Sequence, residues 1–228
     1  MTGQALGGCE ERGKQMPDGS YYRIVRHYED CLARHNEGAA AVDWSSDESA
    51  RIRYDVMLGL VRQKDRATTL LDFGCGLGAL KDHIDERGFR SILYAGLDLS
   101  PKFAEAARAR HPDVRIYCHD VLEDDSDLPQ FDYVVMNGIF TRRHDLTTAE
   151  MQTYFEKLAT RVFSFARIGI AFNVMSSCVD WESESLFHPS HGELSRFICK
   201  SLSRHFVLRN DYGLFETTCY VYRHLEET

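Results

Sequence analysis

Apolar residues recur along the chain with two different periods, and the change between them divides it. Tyr21, Ile24, Val25, Tyr28, Cys31 and Leu32 fall at helical spacing, as do Tyr54, Met57, Leu58 and Val61 behind a Ser45-x-x-Glu48 capping signature. From position 70 the pattern becomes one of short apolar runs, at 70–73, 92–98, 114–118, 131–137 and 168–173. Helical stretches separate them, at 79–87, at 101–110 and behind Thr147-x-x-Glu150. Alternation of this kind predicts a parallel sheet with helices on both faces. Residues 174–189 fit neither period and are expected to form a loop beyond a strand end, where substrate-contacting segments tend to lie. Ser190-x-x-Glu193 opens a last helix, and 206–209 with 217–222 predict a closing hairpin. The expected domains are a flexible leader at 1–20, an N-terminal helical cap at 21–66 and an α/β domain at 67–228.

The chemistry concentrates in Thr69-Leu-Leu-Asp-Phe-Gly-Cys-Gly-Leu-Gly78, where an apolar run ends in an acid and then in glycines at alternate positions. Gly74, Gly76 and Gly78 can take positive φ or let a ligand lie against the backbone. A strand, a glycine turn and a helix N-terminus form a site for a nucleotide-like group or an anion. The spacing also fits Gly-x-Gly-x-x-Ala, so a dinucleotide fingerprint competes. Asp72 weighs against it, because a carboxylate there accepts from turn amides or a ligand ammonium but repels a pyrophosphate.

Asp72-Phe-Gly-Cys-Gly-Leu-Gly78 resembles the first motif of class I S-adenosylmethionine-dependent methyltransferases. Gly96-Leu-Asp-Leu-Ser-Pro101 is similar to the family's second motif, Val114 to Val121 to its third, and Phe131-Asp-Tyr-Val-Val-Met-Asn137 to its fourth strand. The resemblance implies that Asp98, followed by Leu99, holds the ribose hydroxyls, that Asp120 and Val121 meet the adenine edge, and that Asn137 faces the methyl group. Cys75 falls inside the same cofactor turn. The implied fold is α/β, a Rossmann-like seven-stranded, mostly parallel sheet with helices on both faces, a reversed C-terminal strand and the N-terminal helical cap. The implied cofactor is S-adenosyl-L-methionine, with S-adenosyl-L-homocysteine as product.

Composition narrows the partners. A formal charge of -8 argues against a nucleic-acid substrate, since such enzymes usually carry a basic face. The departure of Asn137-Gly-Ile-Phe140 from the Asn/Asp-Pro-Pro-Tyr/Phe form of base methyltransferases argues the same way. Seven cysteines without a Cys-x-x-Cys pair predict reduced thiols, and no ligand spacing supports a metal. No apolar run approaches the roughly 20 residues of a membrane span, so a soluble cytoplasmic protein is expected, and its oligomeric state stays open.

Methyl transfer from a sulfonium needs alignment more than acid or base. Asn137, Phe140, His144 and Tyr28 are the candidate catalytic residues: the first two at the fourth strand's end, His144 as a base, Tyr28 as an aromatic wall for the cation. Arg51 or Arg53 is expected to reach the methionine carboxylate. The expected reaction is methylation of an O or N atom of a small-molecule acceptor. Cyclisation or cleavage of the cofactor itself, and a non-catalytic cofactor-binding module, are the alternatives.

Overall fold

The computed structural model describes residues 21–36, 38–44, 46–62, 65–123 and 128–225. The expected leader at 1–20 lies outside them, and so does Ser45. The second helix is capped by Ser46, one residue later than expected, whose Oγ accepts from Ser49 N at 3.1 Å.

Seven strands make one sheet: β1 (Thr68–Phe73), β2 (Ile92–Leu97), β3 (Arg115–Tyr117), β4 (Phe131–Phe140), β5 (Ala166–Met175), β6 (His205–Arg209) and β7 (Glu216–Tyr222). Their order is β3-β2-β1-β4-β5-β7-β6, with β7 antiparallel to both neighbours and the other pairings parallel. This is the expected Rossmann-like sheet with its reversed last strand. The chain leaves β1 for β2 on one side and later returns to β4 on the other, so a crevice opens beyond the carboxyl end of β1.

Strand alternation sorts the core. Leu71, Val134, Met136, Ile170, Phe172, Cys219 and Val221 face α5 (Thr148–Phe163) and α6 (His191–Phe197), where Met151, Phe155, Leu194 and Phe197 cover them. The intervening Leu70, Tyr133, Val135, Ala171, Tyr220 and Tyr222 face α2 (Asp47–Leu58) and α3 (Ala79–Glu86). Positions one apart therefore lie in different core clusters, as a period of two requires. α4 (Pro101–Arg110) packs Ala104 and Ala107 on the β2/β3 edge, opened by Ser100 as N-cap with Pro101 at its first position.

The two N-terminal helices do different jobs. α2 lies on the sheet, with Met57 and Leu58 fully buried and the Tyr222 hydroxyl donating to Leu60 O at 3.2 Å. α1 (Tyr22–His35) and the 3-10 turn after it (Ala39–Val42) instead cross the crevice. Ser100 Oγ donates to Glu29 of α1 at 2.6 Å, and Lys102 pairs with the same carboxylate at 2.8 Å. Among the described residues no helix is long and apolar enough to cross a membrane.

Candidate functional site

The crevice is a cavity of about 500 Å³ at the carboxyl ends of β1, β2 and β4, roofed by α1 and the turn that follows it. That volume lies in the range of small-ligand sites. β1 delivers Asp72, whose Cα is in register with Gly96 of β2 and Val135 of β4, and β4 runs on past that level to Phe140. Its Oδ2 accepts from the Tyr94 phenol at 2.9 Å. Burial pushes Asp72 up to about 7, and the nearby charge of Asp98 adds to the rise.

The glycine turn follows, with φ of 76° at Gly74, 53° at Gly76 and 78° at Gly78, the left-handed region that L side chains rarely adopt. A Cβ on Gly76 would meet Val42 of the roof at 3.2 Å. The turn's amides look inward. Gly74 N and Cys75 N donate to Leu97 O at 2.7 and 3.0 Å, Gly78 N to Cys75 O at 2.9 Å, and Gly76 N to Asp98 Oδ2 at 2.9 Å. An anion-binding turn would keep these donors for its ligand, so of the ligands such a turn can hold, the hydrogen bonding disfavours an anion, in keeping with the acid at its base.

Asp98 also accepts from Ser100 N on Oδ1 at 2.9 Å. Burial lifts its carboxyl to about 6, partly offset by those two amides. Asp120 accepts on Oδ2 from the Tyr21 phenol at 2.6 Å and from the Tyr22 phenol, and on Oδ1 from Leu122 N at 3.0 Å. Tyr21 also stacks on Tyr154 of α5, ring centroids 5.2 Å apart. At the end of β4, Gly138 takes φ 83° and donates its amide to Asn173 Oδ1 at 2.8 Å. Asn137 beside it keeps both side-chain polar atoms buried with no hydrogen-bond partner.

The cavity walls thus bring together Tyr28, Asp72, Gly74, Gly76, Asp98, Leu99, Asp120, Val121 and Asn137. Five other expected site residues lie elsewhere. Cys75 sits under the turn, its Sγ 2.8 Å from where a Cβ on Gly96 would stand, and burial raises its thiol. Gly78 backs onto the His111 ring. Phe140 is fully buried and packs edge-on against Phe155 and Phe172 in the aromatic core. His144 lies behind Tyr28, with ring centroids 5.5 Å apart, and burial drops it to about 4. Arg53 is paired with the buried Glu216, its Nε 2.8 Å from Oε1. Arg51 and Arg110 are on the cavity wall, paired with Glu86 at 3.0 Å and Asp82 at 2.6 Å respectively.

Sequence reasoning missed Trp44, Tyr54, Ile139 and Tyr154, all of which line the cavity. Trp44, Tyr54 and Tyr154 carry a signal as aromatics that tertiary packing turns inward, but nothing local separates such a ring from a core one.

A family model described as a methyltransferase domain matches residues 71–162. Rv1506c of Mycobacterium tuberculosis, provisionally named as a methyltransferase, is 30% identical over 155 residues, covering 66% of this chain and 90% of that protein. Among solved structures, magnesium protoporphyrin IX methyltransferase from Synechocystis, with S-adenosylhomocysteine bound, aligns at a TM-score of 0.61 and 14% identity, covering 89% of this chain and 100% of that one. The 1,6-didemethyltoxoflavin N1-methyltransferase of Burkholderia thailandensis aligns at 0.58 and 17%, covering 90% of each chain. The ordered motifs, the 3-2-1-4-5-7-6 sheet and these relatives converge: the chain belongs to the class I S-adenosylmethionine-dependent methyltransferases.

Proposed function

We propose that this enzyme methylates an oxygen or nitrogen of a small-molecule acceptor held between the sheet and α1. The observation that carries the reading is that one roofed cavity has two kinds of wall: the acids Asp72, Asp98 and Asp120 at the strand ends, and the aromatic Tyr28, Trp44, Tyr54 and Tyr154. A roof of this kind favours a small acceptor over a polymer.

The residues present fit the cofactor. A carboxylate has about four acceptor positions. At Asp98 the amides of Gly76 and Ser100 take one on each oxygen, which leaves two for a ribose diol. At Asp120 three are taken, leaving about one for an adenine amino group, with Val121 next in the chain. Gly74, Gly76 and Leu99 supply close backbone, and Asp72 faces the ammonium. Arg51, on the cavity wall in an exposed pair with Glu86, is placed for the carboxylate, whereas Arg53 is held by the buried Glu216.

When bound, the cofactor supplies an electrophilic methyl on a sulfonium. The chain's own residues orient the two reactants and exclude water. Tyr28 presents a ring suited to a cation. The orphaned carboxamide of Asn137 offers a donor and an acceptor on the cavity wall, and a buried amide is stabilised by gaining partners. Phe140 and His144 have no part in this reading.

The test is calorimetric titration of S-adenosylhomocysteine with NADH as control, then methyl-labelled cofactor incubated with small molecules, nucleic acid and protein. Binding of the first ligand alone and label in the small-molecule fraction are expected. Label in nucleic acid or protein overturns the acceptor class, and turnover without any acceptor overturns methyl transfer as the main reaction.

A further inference from the structure

Away from the cavity, three residues with metal-binding side chains converge where α1 meets the turn that follows it. α1 sets His27 and Cys31 one helical turn apart, and Asp43, in the left-handed region at φ 57°, brings its carboxylate to them. His27 Nε2 lies 3.0 Å from Asp43 Oδ2 and 3.6 Å from Cys31 Sγ, and one donor atom from each of these residues lies within 4.8 Å of the others. Two ligands at about 2.0–2.3 Å from a zinc ion, subtending a tetrahedral angle, stand about 3.3–3.6 Å apart. Two edges of a tetrahedral face are therefore already near their metal-bound length, and the third, from sulfur to carboxylate, is within 4.8 Å.

A fourth group lies close. The His144 ring rests on that of His27 with centroids 4.4 Å apart, and its Nε2 is buried without a hydrogen-bond partner. We propose that His27, Cys31 and Asp43 bind a zinc ion, with His144 as candidate fourth ligand. The mixed donor set suits a borderline divalent metal rather than magnesium or calcium.

Two guanidiniums touch the same donors: Arg142 Nε on Asp43 Oδ2 at 2.9 Å and Arg34 Nη2 on Cys31 Sγ at 3.2 Å. Their charge opposes a cation, and the two negative charges of a ligated thiolate and carboxylate offset the ion's own. Arg142 matches the outer partner that ligating carboxylates usually keep. Cys31 is buried, while His27 and Asp43 are partly exposed, which gives the ion a path in. The ion would fasten α1 to the turn bearing Val42, beside Tyr28, and so hold the roof of the cavity in place.

The experiment uses the full chain, purified without a metal-binding tag and stripped with chelator, titrated with zinc alone and then with cobalt. About one equivalent of zinc, and a thiolate-to-cobalt charge-transfer band, are expected. Cys31→Ser should abolish the band, and His27→Gln should weaken zinc by tenfold or more. A folded wild-type chain that takes up no stoichiometric zinc overturns the proposal. A band that survives Cys31→Ser overturns it too, because another cysteine then holds the metal.

Discussion

The Tyr21 hydroxyl donates to Asp120 Oδ2 at 2.6 Å, joining the start of α1 to the segment after β3 across 99 positions of sequence. Tyr22 donates to the same oxygen, so the roof is latched onto the acid that the family motif assigns to adenine. Replacing both with phenylalanine keeps the rings and removes the latch. Hydrogen bonds to a charged group are worth about 1.5–3 kcal/mol each. Amide exchange over α1 should then speed up by tenfold or more, with exchange in β1 and β4 unchanged. Unaltered exchange in α1 would show that the two phenols do not hold the roof.

Asp98 has a structural role as well as the proposed ligand role, since it holds Gly76 N and Ser100 N. Asp98→Asn keeps the shape but swaps an acceptor for a donor. The expected result is a loss of S-adenosylhomocysteine affinity of at least tenfold, because each hydrogen bond to a charged group contributes about 1.5–3 kcal/mol. Calorimetry alongside a melting curve reads both effects. Unchanged affinity would remove the ribose role from Asp98.

Asp72 gives the fold a pH dependence. Its carboxyl is raised from 3.8 to about 7, so between those values the folded chain binds more protons than the unfolded one. Stability from this group is full below about 3.8 and is lost as pH rises through about 7. The stability of wild type relative to Asp72→Asn should accordingly fall from pH 4 to 7 and level off above, in chemical denaturation at fixed temperature. S-adenosylhomocysteine, carrying an ammonium, should bind more tightly as pH rises through the same window. A relative stability that rises with pH contradicts the assigned burial.

Arg53 and Glu216 form a buried pair, and Glu216 Oε2 also accepts from Asn173 Nδ2 at 2.7 Å. Removing one partner of such a pair typically costs about 3–5 kcal/mol, because the other charge stays buried alone. Glu216→Ala should show a loss of that size in urea, and the double variant Arg53→Met with Glu216→Leu should recover much of it. A loss below about 1 kcal/mol for the single variant would mean that the guanidinium finds water instead.

The sequence by itself determined the architecture and many of the residues that line the cavity. Periods of two and 3.6 are local properties, so the strands, the capped helices and the closing hairpin could be read from residue spacing, while the reversal of β7 came from the resemblance to the methyltransferase family. Ser46 and the longer β4 and β5 moved boundaries without changing an element. Asp72, Asp98, Asp120 and Asn137 were legible because each ends an apolar run, and strand ends in a parallel sheet share one edge. Phe140, expected beside the methyl group, lies instead in the core on the α5 face; its parity with Val134 and Met136 points there, but the register slip after Met136 obscures it.

Tertiary structure decided which partner each long or lone polar side chain found. Arg53 and Arg51 have equal reach in sequence. Only the arrival of Glu216, 163 positions later, draws Arg53 into a buried pair, while Arg51 pairs with Glu86 on the cavity wall. The same holds for the glycine turn, whose amides were claimed by Leu97 and Asp98, and for Tyr21 and Tyr22 on Asp120. It holds again for His27, Cys31 and Asp43, which converge only because the turn after α1 folds back. Local pattern sets backbone geometry, whereas a flexible polar group settles on whichever counter-group the folded chain delivers, and that delivery is non-local.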